Sequence, residues 1–333
     1  MINKQSISVV IPVYNAEKTL VACLEHCLSQ DFLGEYEIIA VDDGSTDNSA
    51  QIIKDFGEKV KYVHQQNSGA GSARNKGAQK AQGNILVFTD SDCLPARNWL
   101  STLLQGFSNG QKVAAVQGTY DIANVGKPMA EMINFDIQEK HKNMPKFIKV
   151  FGSFNIAIKK EVFIELAGFS SDYQALSAED VDLSYRLIEK GYQIASELDS
   201  KVAHFHTDKL QKYLKEQKRH GYFRVKLYRD HPQNKSGDGY AGWKEMLQTA
   251  GSALIFLNVI FLGIELIVSQ SLYSLWSLIF FIALVYLVEV PRSLKMIQVK
   301  KDWRYLSFAV VMFLRSLWRT VGFLKAFLGF KKI

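Results

Sequence analysis

Two apolar runs, residues 250–268 and 272–288, lie near the end of this 333-residue chain, separated by Ser269, Gln270 and Ser271. Each approaches the length of about 20 residues that crosses a bilayer as a helix. Three intervening residues leave room for a tight turn, so the pair is expected to form a membrane hairpin. Glu265 is the one charge inside the first run. The segment that follows carries Arg292, Lys295, Lys300, Lys301 and Arg304. The positive-inside rule places such a segment in the cytoplasm, and with it whatever precedes the hairpin. Residues 305–330 are apolar but interrupted by Arg315, Arg319 and Lys325. They read as an interfacial amphipathic helix in preference to a third span.

The N-terminal part has a different grammar. Residues 7–13 form a β-branched apolar run, too short for a signal peptide and without a small-residue cleavage site. Helical periodicity follows over 17–29, where Leu20, Leu24 and Leu28 align. A second apolar strand, 36–41, ends in Asp42-Asp43-Gly44, and Ser45-Thr46-Asp47 supplies cap chemistry for a helix over 48–56. A short strand over 60–64 and a glycine-opened helix over 69–82 come next, then a strand over 85–89 that runs into Asp90-Ser91-Asp92. Strand–helix alternation predicts an α/β fold on a parallel sheet, whose ligands bind beyond the carboxyl ends of the strands. The acidic clusters fall at those ends. Later segments are mixed: strands over 113–120 and 154–158, a helix over 180–190, and a polar, glycine-rich linker over 232–242.

Charge and cysteine usage narrow the class. The formal net charge is +7, with Lys and Arg gathered over 209–244 and near the C-terminus. Beside apolar runs this pattern suits anionic lipid headgroups. No zinc-finger spacing or aromatic RNA-binding motif supports nucleic acid. Three cysteines, Cys23, Cys27 and Cys93, make no disulfide framework and read as buried apolar residues.

The residues able to do chemistry are carboxylates. If the chain stays extended past residue 89, Asp90 and Asp92 point the same way and offer hard oxygen ligands to Mg²⁺ or Mn²⁺. A departing nucleoside diphosphate develops negative charge that such a cation stabilises. Asp42-Asp43 can serve as turn and cap groups or accept hydrogen bonds from a nucleotide. Arg74, inside Gly69-Ala70-Gly71-Ser72-Ala73-Arg74-Asn75, can face a diphosphate or sit on a surface. Ser177-Ala178-Glu179-Asp180 approximates a capping box, and Asp180 there can also act as a general base. His204 and His206, at strand spacing, are structural or touch metal or phosphate. No glycine fingerprint follows the first strand, which argues against a nicotinamide-dependent dehydrogenase.

Taken in order, Ser8-Val9-Val10-Ile11-Pro12-Val13-Tyr14-Asn15, Val41-Asp42-Asp43-Gly44-Ser45-Thr46-Asp47, residues 67–77, Thr89-Asp90-Ser91-Asp92 and Glu179-Asp180 closely resemble family 2 glycosyltransferases. Gly168-Phe169 before the acidic pair and Gly191-Tyr192 after it match too. The resemblance covers residues 6–225. It implies a GT-A fold, an inverting reaction and a nucleotide-sugar donor, UDP-linked in the first instance, held through Mn²⁺ or Mg²⁺. Pro12 and Tyr14 would line the base pocket, Asp43 would contact uracil or its equivalent, and Arg74 would lie near the donor. Asp90 and Asp92 correspond to the DXD motif, with Asp92 the direct metal ligand. Asp180 corresponds to the catalytic base, supported by Glu179. Residues 216–220 lack the tryptophan of the Q-x-x-R-W element found in processive synthases.

The expected organisation is a GT-A domain over 1–231, a linker over 232–245 and a membrane region over 246–333. The expected activity is one-step sugar transfer, on the cytoplasmic face of the cell membrane, to a hydroxyl of a lipid-linked or membrane-proximal saccharide. A polyprenyl-phosphate acceptor and a non-catalytic nucleotide-binding module are the alternatives.

Overall fold

The computed structural model describes residues 6–142, 144–173, 178–234, 243–268 and 272–329. The expected turn at 269–271, most of the expected linker, and Ser177 of the expected capping box lie outside those residues. The chain divides into two compact units, Met1–His206 and Thr207–Ile333.

The first unit is built on one mixed sheet. Its strands are β1 (Ile7–Val13), β2 (Tyr36–Asp42), β3 (Lys61–His64), β4 (Ile85–Thr89), β5 (Cys93–Pro95), β6 (Val113–Ile122), β7 (Phe147–Ile148), β8 (Asn155–Lys159) and β9 (Gln193–His204). The helices between them are α1 (Leu20–Leu28), α2 (Ser49–Asp55), α3 (Ala70–Lys80), α4 (Trp99–Gln105), α5 (Pro128–His141), α6 (Lys160–Glu165) and α7 (Glu179–Glu189). The sheet order is β3-β2-β1-β4-β8-β6-β9-β5, with β7 also pairing β9. β1 to β4 are mutually parallel, as the buried β-branched runs of β1, β2 and β4 predict. β8 then enters antiparallel to β4, which makes the sheet mixed.

Two consequences place the site. After β3 the chain crosses over β1 to lay down β4 on its other side, so the order reverses at β1 and β4, where α/β sheets bind ligands. Helix α3 is drawn close to this sheet by Gly77, where a Cβ would collide with Val10. On the opposite face Cys23, Cys27 and Cys93 are buried thiols within an apolar core that includes Leu20, Leu24 and Trp99.

The second unit is helical: α8 (Leu210–Asp230), α9 (Trp243–Val268), α10 (Tyr273–Leu287), α11 (Val290–Lys300) and α12 (Ser307–Phe327). Residues Glu245–Val268, Tyr273–Lys300 and Trp303–Phe327 are each long and apolar enough to cross a membrane. The division between units precedes α8, which the sequence assigns to the first domain. The reason is packing, because α8 lies along α12. Gly221 and Gly322 let the two backbones touch. A Cβ on Gly221 would collide with the Arg319 carbonyl, and one on Gly322 with that of Lys218. Small residues at a crossing allow such approach. Gln217 belongs to the same crossing, accepting a hydrogen bond from Arg319 Nε at 2.8 Å.

Candidate active site

The acidic segment after β4 does not stay extended. The Cys93 N–H donates to the Asp90 carbonyl at 3.0 Å, closing a turn between β4 and β5. Helix α1 buttresses this turn. The Thr19 hydroxyl donates to the Ser91 carbonyl at 2.9 Å and the Cys23 thiol to that of Asp90 at 3.4 Å. The two carboxylates therefore engage different partners, which corrects the expectation that they converge. Asp90 Oδ1 accepts from Arg74 Nη2 at 2.6 Å, whereas Asp92 Oδ1 lies 3.2 Å from His204 Nε2.

Arg74 is the hinge of the arrangement. It is 3% exposed, stacks over the Phe169 ring, and also reaches Glu179 through Nη1 at 3.4 Å. One guanidinium thus ties the turn after β4 to the start of α7. The resemblance places Arg74 near the donor; here its terminal nitrogens hold the protein's own carboxylates. Burial disfavours its charge, but Asp90 and Glu179 outweigh this and raise its pKa.

The loop facing Arg74 is fixed from two sides. The Asn75 amide clamps Phe169, donating to its carbonyl at 2.8 Å and accepting its N–H at 2.9 Å. Arg186 donates to the carbonyls of Leu166 and Gly168 while pairing with Asp182. Gly168, at φ +67°, leaves room for the Asn75 carboxamide oxygen, which a Cβ would strike. The Gly168-Phe169 match thus has a packing cause.

Helix α7 begins after Ala178, a non-glycine residue at φ +108°, with no side-chain cap. Such a conformation costs of the order of 1–3 kcal/mol and concentrates at functional sites. Burial and the neighbouring Asp180 charge push the Glu179 carboxyl up to about 7, against the pull of Arg74. Its Oε2 is buried with no hydrogen-bond partner, and the side chain lines a cavity of about 100 Å³ with Gly69, Gly71, Phe169 and Tyr173. Asp180 is half-buried, and its Oδ1 accepts the Val181 N–H at 2.8 Å. Burial raises its pKa above that of an ordinary aspartate, opposed by that hydrogen bond and by Arg74.

At the end of β2 the two aspartates organise loops. Asp42 accepts from the Ser45 N–H at 2.8 Å and the Tyr62 hydroxyl at 3.2 Å, and its Oδ2 lies 3.0 Å from His64 Nδ1. Burial would raise its pKa, but these bonds win and hold it low. Asp43, 3% exposed, accepts from Gln65 Nε2 and from the Ser68 and Gly69 N–H groups at 2.7–2.9 Å, shaping the entry to α3. Pro12 is buried within β1, and Tyr14 stands half exposed just beyond it.

Among the described residues one group of side chains offers three metal-ligand atoms within 4.8 Å of one another: Asp92, Cys93 and His204. Cys93 is fully buried, and its thiol is pushed well up by burial and by Asp92 and Asp90, which keeps it protonated and unsuited to a hard cation. Asp92 and His204 do fit one. A half-exposed carboxylate beside an imidazole nitrogen is a partial, open coordination set that suits a divalent cation. Sequence spacing leaves His204 open between structural and ligand roles. The pairing of β5 with β9, in which Cys93 and His204 are register partners, brings His204 beside Asp92.

A model of the family described as "Glycosyl transferase family 2" matches residues 8–167. A glycosyltransferase, GlyG, of Streptococcus pneumoniae is 46% identical over 103 residues, covering 30% of this chain and 34% of that protein. Glycosyltransferase AglE of Haloferax volcanii is 28% identical over 195 residues, covering 56% of this chain and 63% of its own length. The chain therefore spans about a third to three-fifths of these two relatives. A mannosyltransferase from Pyrobaculum calidifontis, solved with GDP-Man and Mn²⁺, superposes over 98% of this chain and 88% of its own with a TM-score of 0.62 at 17% identity. The fold is that of the GT-A enzymes.

Proposed function

We propose, from the match of residues 8–167 to the glycosyltransferase family 2 model and from its relatives, that the chain is a member of that family and moves a sugar from a nucleotide-sugar donor to an acceptor hydroxyl at a membrane. One observation carries this reading. Arg74 joins the turn that bears Asp92 to the helix start that bears Asp180, at the carboxyl edge of the parallel strands. A cation site and a base are thereby set on one rigid frame.

The residues take these roles. Asp92 and His204 would hold Mn²⁺ or Mg²⁺, and such a cation would supply positive charge to stabilise a departing diphosphate. Asp90 is held by Arg74 and keeps the turn in place. Tyr14 presents a ring to the base, and Asp43 fixes the loop that frames the donor. Asp180 removes the proton from the attacking hydroxyl. Glu179, adjacent and buried, fixes the acidic end through Arg74. An inverting displacement needs this single base and no covalent enzyme nucleophile. The S. pneumoniae and H. volcanii relatives and the Mn²⁺-bound mannosyltransferase support the class, while the nucleotide is to be tested among UDP and GDP.

Asp92→Ala is expected to abolish most Mn²⁺-dependent binding of UDP or GDP while the thermal transition stays within a few degrees of wild type. Calorimetry with each nucleotide, with and without Mn²⁺, checks this. Unchanged Mn²⁺-dependent affinity in the variant would exclude Asp92 as a ligand.

We further propose that α9 and α10 form the spanning hairpin, with the catalytic unit on the cytoplasmic side, and that α12 lies in the interface. The contacts of α12 with the hairpin support the last point. Thr320 reaches Thr249, Ser316 reaches Ser252, Arg315 reaches Glu289, and Phe313 packs on Tyr286. Thr249 and Ser252 lie in the first three turns of α9, Tyr286 near the end of α10 and Glu289 just past it. Helix α8, locked to α12 through Gly221, carries exposed Lys212 and Lys215. A Lys or Arg at the centre of a span costs about 2.5–3.5 kcal/mol. A cysteine at Leu272 is expected to react with an impermeant maleimide from outside, and cysteines at Val299 and Leu328 only after permeabilisation. External labelling at Leu328 would make α12 a third span.

A further inference from the structure

The metal-site reading treats His204 as a ligand through Nε2 and leaves its neighbour His206 unused. We infer that His206 is a positioning residue: its Nδ1 accepts the Nδ1–H of His204 and so presents the Nε2 lone pair of His204 to the cation beside Asp92. This rests on the cation reading of the Asp92–His204 pair.

The two Nδ1 atoms are 2.9 Å apart. A hydrogen bond there needs one donor and one acceptor, and a neutral imidazole carries a single N–H. A nitrogen that binds a cation must offer a lone pair. With Nε2 of His204 on the metal, its proton sits on Nδ1 and His204 is the donor. His206 is then the acceptor and carries its own proton on Nε2, an atom that is buried with no hydrogen-bond partner. Metal-bound imidazoles commonly depend on such an acceptor for tautomer and ring orientation.

The backbone makes the acceptor rigid. The Phe205 N–H donates to the Asp92 carbonyl at 3.0 Å, tying the segment between the histidines to the metal turn. The His206 N–H donates to the His204 carbonyl at 3.1 Å, and the His206 carbonyl accepts from Asn124 Nδ2 at 2.7 Å. His206 is 6% exposed, and the Tyr120 ring flanks both imidazoles, with centroids at 5.2 Å from His204 and 5.7 Å from His206. His206 has little freedom to turn away.

The test is the affinity of the detergent-solubilised full chain for Mn²⁺ alone and for Mg²⁺ alone. Free Mn²⁺ is read by electron paramagnetic resonance and Mg²⁺ by competition. His206→Ala is expected to weaken Mn²⁺ by about 10–100-fold. Mg²⁺ should weaken less, because the ligand lost is a nitrogen. His206→Asn places an amide oxygen near the Nδ1 position and is expected to restore Mn²⁺ to within about threefold of wild type, well inside that range. An unchanged Mn²⁺ affinity in His206→Ala, where His204→Ala loses it, would overturn the inference. So would an Asn variant as weak as Ala, or equal losses of Mn²⁺ and Mg²⁺. If neither His204→Ala nor Asp92→Ala changes Mn²⁺ affinity, the cation site itself is misplaced and the parent reading fails.

Discussion

Asp180→Asn is expected to lower kcat by about 10²–10⁴-fold, the usual worth of a general base, or roughly 3–5 kcal/mol of transition-state stabilisation. A sugar hydroxyl is a poor nucleophile near neutral pH, so losing the proton acceptor falls directly on the chemical step. Asn keeps the shape and can still accept the Val181 N–H that Asp180 Oδ1 accepts at 2.8 Å, so the start of α7 should persist. Donor affinity should change little, because the roles proposed for the metal and for Tyr14 and Asp43 do not involve this group. The pH profile adds a second readout. In the proposed role Asp180 would act as the carboxylate, which is populated above its pKa, and burial raises that pKa. The acid limb of kcat/KM should therefore lie higher than an ordinary aspartate would give, and flatten in the Asn variant. Were the acceptor a lipid phosphate, the loss should be far smaller, since a phosphate oxygen is already charged. Near wild-type turnover on an acceptor proven to be a hydroxyl would exclude Asp180 as the base.

Arg74→Met is expected to destabilise the first unit strongly. Removing one partner of a buried ion pair costs about 3–5 kcal/mol, because the charge left behind is desolvated and unpaired. Here two carboxylates lose their cation. Asp90 keeps some solvent contact, with 29% of its side chain exposed, whereas Glu179 keeps almost none. The effect should depend on pH with a definite sign. Glu179 has its folded pKa raised to about 7 from 4.5. A raised carboxyl favours the folded state at low pH, and that contribution is lost as pH rises through the folded value. Without Arg74 the folded value should rise further. Below it Glu179 is neutral in the fold, and the missing cation matters less. The stability gap between variant and wild type should therefore widen from about pH 5.5 to about pH 8.5. Denaturation at both values checks this, and a gap that narrows with pH would remove Glu179 from the explanation. Activity should fall together with stability, since Asp90 and the turn after β4 lose their tether.

Period and local chemistry settle much of this protein in advance. The runs that become β1, β2 and β4 are buried on both faces, so their apolar content alone marks them as central strands. The acidic clusters must then fall at the carboxyl ends, because each follows its strand directly. The apolar stretches within α9 and α10 are equally legible, since only a helix satisfies its own backbone in lipid. What the sequence cannot carry is pairing between distant segments. Asp90 and Asp92 look like a convergent pair until the turn closed by the Cys93 N–H sends one to Arg74 and the other to His204. Arg74 reads as a donor contact because nothing local reveals that Glu179, 105 residues away, will lie within 3.4 Å. His204 becomes a ligand candidate through its register with Cys93, a relation between β9 and β5 that no spacing encodes. Helix α8 joins the helical unit because a glycine in each of two helices lets their backbones touch. Periodicity reports the environment of a residue, which is local and repeats along the chain. Partnership depends on how the sheet and helices close in space, and that was decided by the tertiary fold.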